Sequence, residues 1–209
     1  MCFLLAGKEN DMETEQFFRW IFVLVLAASL TVSASFRRRA RVTGGTIART
    51  EEGRGMLFLR LLFALPLWFS FLGYGLNPNW LSWSQVALPV WLRWVGVGLG
   101  LVCVPMLWWV FVSIGSNISE TVLTKESHEL VTYGPYRWVR HPLYGVALLL
   151  LAGCSLMAAN WFMGLMTVLS GGMIVWFVIP REEAALIARF GEEYKRYRER
   201  VGMLFPKIG

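Results

Sequence analysis

The sequence predicts an all-α membrane protein of about five transmembrane helices, the last two a tight hairpin, with an amphipathic interfacial helix at the C-terminus. Three observations lead there. The 209 residues are 56% hydrophobic and only 16% charged, where a soluble domain carries roughly a quarter charged residues. The apolar residues fall into blocks of about 20, the length that crosses a ~30 Å hydrocarbon core as helix. The basic residues fall in alternate loops, which one orientation in the membrane satisfies.

Taken in order, residues 1–16 are expected as an extracytoplasmic segment, with Glu9, Asp11, Glu13 and Glu15 ahead of the first apolar block. Met12 is the expected start, which makes Met1–Asp11 an overhang. Residues 17–114 hold three spans: Phe17–Phe36, Leu57–Leu76 and Leu88–Ile114. Arg19, Arg60 and Arg93 lie near span ends, where long basic side chains snorkel to the interface. The first span is not read as a cleaved signal, because its positive charges follow the apolar run. Arg37–Gly55 is expected as a basic cytoplasmic loop, and the uncharged Asn77–Gln85 as its extracytoplasmic counterpart. In the third span, Gly96, Gly98 and Gly100 should let a neighbouring helix approach closely, and Pro105 should kink the helix. Leu143–Asn160 and Trp161–Pro180 are the fourth and fifth spans, turning near Ala158–Trp161.

This pattern places the N-terminus outside and the C-terminus in the cytoplasm. Net charge +6 and pI ≈ 9.5 then reflect the positive-inside bias and anionic lipid headgroups, and nucleic acid is not an expected partner. Cys2, Cys103 and Cys154 have no metal-ligand spacing, so neither a zinc site nor a disulfide is expected.

After Pro180, REEAALIARFGEEYKRYRERVG puts Leu186, Phe190, Tyr194, Tyr197 and Val201 at helical spacing on one face. One amphipathic helix over Arg181–Gly202 is expected. It would lie on the membrane surface or against the loop before the fourth span.

Residues 115–209 carry the chemistry, and LVTYGPYRWVRHPLY (Leu130–Tyr144) is its centre. Gly134-Pro135 signals a turn. Pro142 marks a helix start, which sets Arg140 and His141 at a helix N-terminus with its free N–H groups. Two readings fit: a site for a carboxylate or phosphate flanked by stacking aromatics, or a basic loop within an interfacial aromatic belt.

A resemblance separates them. HELVTYGPYRWVRHPLY, followed after a helical hairpin by Glu182-Glu183 and FGEEYKRY, resembles the isoprenylcysteine carboxyl methyltransferase family, whose wider group includes phospholipid N-methyltransferases. It covers about Thr121 to Pro206, and five spans suit the small prokaryotic members. The resemblance implies S-adenosylmethionine as cofactor, bound without a Rossmann fold; the chain has no G-x-G-x-x-G after a strand. It also implies that His128, Glu129, Leu130, Val131, Tyr136, His141, Pro142, Leu143, Tyr144 and Glu182 form the cofactor site. From the helix end, Arg140 is the candidate catalytic residue, paired with the cofactor carboxylate. The acceptor is expected to be lipophilic, entering from the bilayer with a small carboxylate, thiol or amine head. An amine would need His141 or Glu183 to take a proton. Family members that methylate a prenylcysteine carboxylate carry arginine four residues before the acid. Val178 stands there, and Arg181 is the nearest candidate substrate contact. The alternatives are an NADPH-dependent membrane reductase of the sterol reductase type and a non-catalytic scaffold.

Overall fold

The computed structural model describes residues 2–44, 53–115 and 130–207, with α1 side chains described from residue 12 to 42. His128 and Glu129 lie outside the described residues. All the named elements are helical: α1 (Cys2–Gly44), α2 (Arg54–Leu76), a 3-10 segment (Pro78–Ser84), α3 (Val90–Ile114), a 3-10 turn (Gly134–Arg137), α4 (Pro142–Met157), α5 (Trp161–Met173), a π segment (Ile174–Val178), α6 (Ile179–Phe190) and α7 (Glu192–Arg200).

Four helical stretches are long and apolar enough to cross a membrane: Met12–Val42, Arg54–Leu76, Val90–Ile114 and Trp161–Phe190. The protein is an integral membrane protein by these helices. The expected fourth span is shorter than the sequence suggested, because α4 has only 16 residues. At 1.5 Å per residue that is about 24 Å of helix. The chain turns at Ala158–Asn160, where Ala159 adopts φ 47°. Asn160 caps α5, its side chain accepting from Met163 N at 3.0 Å and donating to Ser84 Oγ at 2.8 Å. The hairpin turn therefore falls where the sequence placed it.

Two expected boundaries move. Arg37–Arg41 belongs to α1 and not to a loop. Arginine is a good helix former, and basic residues are favoured in a helix's last turn. The helix after Asn160 runs past Pro180 to Phe190 through the π segment. Proline lacks an N–H for the ordinary ladder, and a π turn absorbs that break without ending the helix. The expected single helix over Arg181–Gly202 is instead two, broken at Gly191, whose φ of 56° is reached without strain only by a residue lacking Cβ.

The tightest packing joins α3 to α4. A Cβ added at Gly96 would lie 2.5 Å from the Gly153 carbonyl oxygen, and one at Gly153 would lie 2.9 Å from Leu99 Cβ. The expected close approach thus holds for Gly96 and for Gly100, which abuts Val25. It fails for Gly98, which faces open space.

At the far end from Glu182, Arg93 departs from expectation. It is 6% exposed and does not snorkel. Its Nε and Nη2 donate to the Met157 carbonyl at 2.9 and 2.7 Å, and its Nη1 pairs with Glu15 at 2.8 Å. The Tyr74 hydroxyl donates to the same carboxylate at 2.7 Å. Four helices are tied at one point, and the end of α4 is capped by a side chain from α3.

Gly96→Leu should lower stability by about 1–3 kcal/mol through overpacking, read as a lower unfolding midpoint in detergent micelles. Gly98→Leu should leave that midpoint nearly unchanged. Arg93→Leu should cost about 3 kcal/mol, the low end of the range for breaking a buried pair, because Glu15 keeps 32% of its side chain exposed. An Arg93→Leu midpoint equal to wild type would remove this junction from the account.

Candidate active site

The site is assembled where α4 begins and α6 ends its first turn. Residues 139–141 run alongside the C-terminal tail. Arg140 N donates to Gly202 O at 2.8 Å and His141 N to Met203 O at 3.0 Å. Two N–H groups that the sequence left open for an anion are therefore satisfied by the tail. Leu143 and Tyr144, in the first turn of α4, retain N–H groups with no partner inside the helix.

Arg140 is committed as well. Its Nε donates to Glu183 Oε1 at 2.8 Å, and its Nη1 donates to the Arg198 carbonyl at 3.1 Å and to the Val201 carbonyl. Arg198 Nε lies 3.5 Å from the other Glu183 oxygen. The guanidinium holds α6, the end of α7 and the tail against the start of α4. It is a structural centre, where the sequence suggested a partner for the cofactor.

His141 is 5% exposed. Its ring stacks on Tyr144 with centroids 5.9 Å apart, its Nε2 is 3.3 Å from Glu183 Oε1, and its Nδ1 is 3.7 Å from Glu182 Oε2. Tyr144 donates its hydroxyl to Glu182 Oε2 at 3.0 Å. Glu182 keeps 30% of its side chain exposed against 11% for Glu183. One glutamate of the pair is thus open and the other enclosed.

Tyr136 is buried beside them. Burial, and then the Glu182 charge, push its hydroxyl above the ordinary range, so it stays a neutral donor. Its carbonyl accepts from Tyr197 at 2.6 Å, and burial pushes the Tyr197 hydroxyl up to about 12. The α7 face packs inward, with Tyr194, Tyr197 and Val201 against Leu130, Leu186, Ile187 and Phe190. The Tyr194 hydroxyl is buried with no hydrogen-bond partner among the described residues.

Of the described sequence candidates, Tyr136, His141, Tyr144 and Glu182 converge. Leu130 packs under α7, while Val131 and Leu143 pack on the main apolar core. Pro142 is buried on the other side of α4. Arg181 is exposed and donates to its own helix at Phe177 O, 2.9 Å, away from this cluster's contacts. Val178 is buried against Met56, with Tyr144, Met173 and Ile174 around them. Arg60 and Arg37 bear electrostatically on Tyr144. In the sequence Arg37 belongs to the positive-inside loop and Arg60 to a span end where it snorkels, and no periodicity points to the site.

Residues 96–188 match the model of the isoprenylcysteine carboxyl methyltransferase family. It is 39% identical over 100 residues to the human protein-S-isoprenylcysteine O-methyltransferase, covering 45% of this chain and 34% of that one. The fission yeast enzyme of the same name is 32% identical over 103 residues, covering 46% and 42%. A Bacillus subtilis protein, uncharacterized protein YpbQ, is 24% identical over 136 residues, covering 62% and 73%. The chain spans about a third of the length of the mammalian relatives. The structure of a eukaryotic intramembrane Ras methyltransferase matches 90% of this chain and 68% of its own, with TM-score 0.54 and 19% identity. That likeness establishes the membrane fold. Neither the reductase nor the scaffold alternative is favoured by these relatives.

Arg140→Gln should destabilise the protein by about 3 kcal/mol, since it removes the nearest charge partner of a buried carboxylate and uncaps two carbonyls. Thermal unfolding in micelles measures this, and an unshifted midpoint would return Arg140 to the list of free functional groups.

Proposed function

We propose that the protein is an integral membrane methyltransferase that uses S-adenosylmethionine and acts on a lipophilic acceptor at the cytoplasmic interface. One observation carries the reading: Glu182 is a partly open carboxylate fixed by Tyr144 and flanked by His141 and the buried Tyr136. A carboxylate among aromatic rings suits a sulfonium-bearing ligand with an amino group and ribose hydroxyls. The Tyr194 hydroxyl, without a partner among the described residues, offers a further polar contact near the same cluster. These residues fit the group that the family implies.

When bound, the cofactor supplies an activated methyl for in-line displacement. The chain's own residues have simpler tasks. Glu182 holds polar hydroxyls or the ammonium. Tyr136, His141 and Tyr144 supply flat, mostly buried walls that exclude water. The N–H groups of Leu143 and Tyr144 sit at the positive end of α4, where a carboxylate is favoured. Val178 presents an apolar wall next to Tyr144, while Arg60 and Arg37 supply positive potential from α2 and α1. An acceptor with a small anionic head suits that wall better than a cationic one. His128 and Glu129 belong to the same proposed cofactor site. The orientation, N-terminus outside and C-terminus in the cytoplasm, and a prokaryotic plasma membrane remain part of this reading.

Glu182→Gln should weaken S-adenosylmethionine binding by at least about tenfold, the scale of one charge-assisted hydrogen bond. The unfolding midpoint of the free protein should stay close to wild type, because Glu182 is not the buried glutamate. Calorimetric titration of purified protein checks the first, and transfer of labelled methyl into a total membrane extract checks the activity. Undiminished cofactor binding by the variant would sink the assignment.

A further inference from the structure

A second recess lies on the opposite side of α4. It is a groove of about 660 Å³ walled by α3 and α5, with Met106 and Trp109 on one side and Thr167 and Val168 on the other. Pro142, Gly145, Val146 and Leu149 of α4 line it, whereas His141 and Tyr144 are turned to the glutamate pair. It is therefore separate from the candidate active site. The volume falls within the roughly 300–1,000 Å³ typical of ligand sites. Among the described residues none that lines it is charged. In a membrane-spanning region the neighbour that fills such a surface is hydrocarbon.

The groove has one polar end. There Trp138, Val139 and the tail residues Leu204, Phe205 and Pro206 close it. Trp109 and Trp138 meet edge to face, with centroids 5.7 Å apart, as indoles do at the headgroup level. The Arg137 guanidinium lies 4.0 Å from the Trp138 ring centroid. Lys207 follows Pro206 directly and is exposed, its ammonium donating to the Glu199 carbonyl. An apolar trough thus ends beneath two basic side chains, with no acidic residue among the described residues of its wall.

We propose that this groove is a binding site for an anionic phospholipid of the adjoining leaflet, with one acyl chain between α3 and α5 and the phosphate at Arg137 and Lys207. The bound chain would brace α4, the helix too short to span alone, and the lipid head would seat the tail that satisfies Arg140 and His141. The proposal does not depend on the methyltransferase reading.

The test uses full-length protein in phosphatidylcholine nanodiscs, with trace phosphatidylglycerol or phosphatidylcholine carrying a diazirine midway along one chain. After illumination, labelled peptides are mapped by mass spectrometry. The phosphatidylglycerol probe should label residues 145–152 and 167–171 in preference to the lipid-facing surfaces of α1 and α2. It should exceed the phosphatidylcholine probe by about fivefold for each basic residue engaged. Ala152→Phe should reduce labelling by both probes. Arg137→Gln, an exposed change that gives up only the contact with the Trp138 face, should remove about fivefold of the phosphatidylglycerol advantage and leave phosphatidylcholine labelling unchanged. Equal labelling by the two probes, labels spread evenly over the outer surface, or an unaltered preference in Arg137→Gln would each overturn the proposal.

Discussion

The C-terminal half of this protein is organised around the ion pair between Arg140 and Glu183. Removing two charges from water costs several kcal/mol each unless every lone pair and proton is satisfied. Here the guanidinium meets Glu183 and the carbonyls of Arg198 and Val201, while Glu183 also meets His141 and Arg198. Those partners come from the start of α4, from α6, from the end of α7 and from the tail. The pair gives them a shared position, and the tail then takes up the N–H groups of Arg140 and His141.

A matching constraint stands at the other end of α4. Arg93 caps the Met157 carbonyl and is neutralised by Glu15. The same helix is pressed on α3 through Gly96 and Gly153, with no room for a side chain. α4 is thus held at both ends by buried guanidinium groups and along its length by backbone contact. A helix of 16 residues that cannot cross the bilayer alone becomes the fixed element on which the site is built.

The spans were legible in the sequence because a membrane imposes a local rule: about 20 apolar residues, whatever lies elsewhere in the chain. The same rule misjudged α4, since hydropathy does not register the turn through Ala159 that ends it three residues early. It also could not say that Arg93 is buried, because the partner that makes burial tolerable is Glu15, 78 positions away. At the site, the order of Tyr136, His141, Tyr144 and Glu182 in the motif was enough to bring them together. What Arg140 does was not readable, as its partners are mostly backbone carbonyls, which carry no residue signature. Arg37 and Arg60 were hidden for a different reason. The positive-inside rule already accounts for Arg37 and snorkelling for Arg60, and an explained charge draws no further question.

Glu182 and Glu183 show how adjacent residues of one type acquire opposite roles. Successive positions on a helix point about 100° apart, so only one of two neighbouring carboxylates can face Arg140. Glu183 does so and is enclosed; its charge is spent on the fold. Glu182 turns toward Tyr144 and His141 and keeps partial access to solvent. Each role requires the other. An open carboxylate can be presented at a defined angle only if the helix carrying it is fixed, and the buried partner one residue away fixes it. On the proposed reading, a ligand cation would meet at Glu182 a carboxylate that Arg140 does not neutralise. Had the two glutamates been spaced by four, both would have faced the guanidinium, and the site would have kept its stability while losing its free charge.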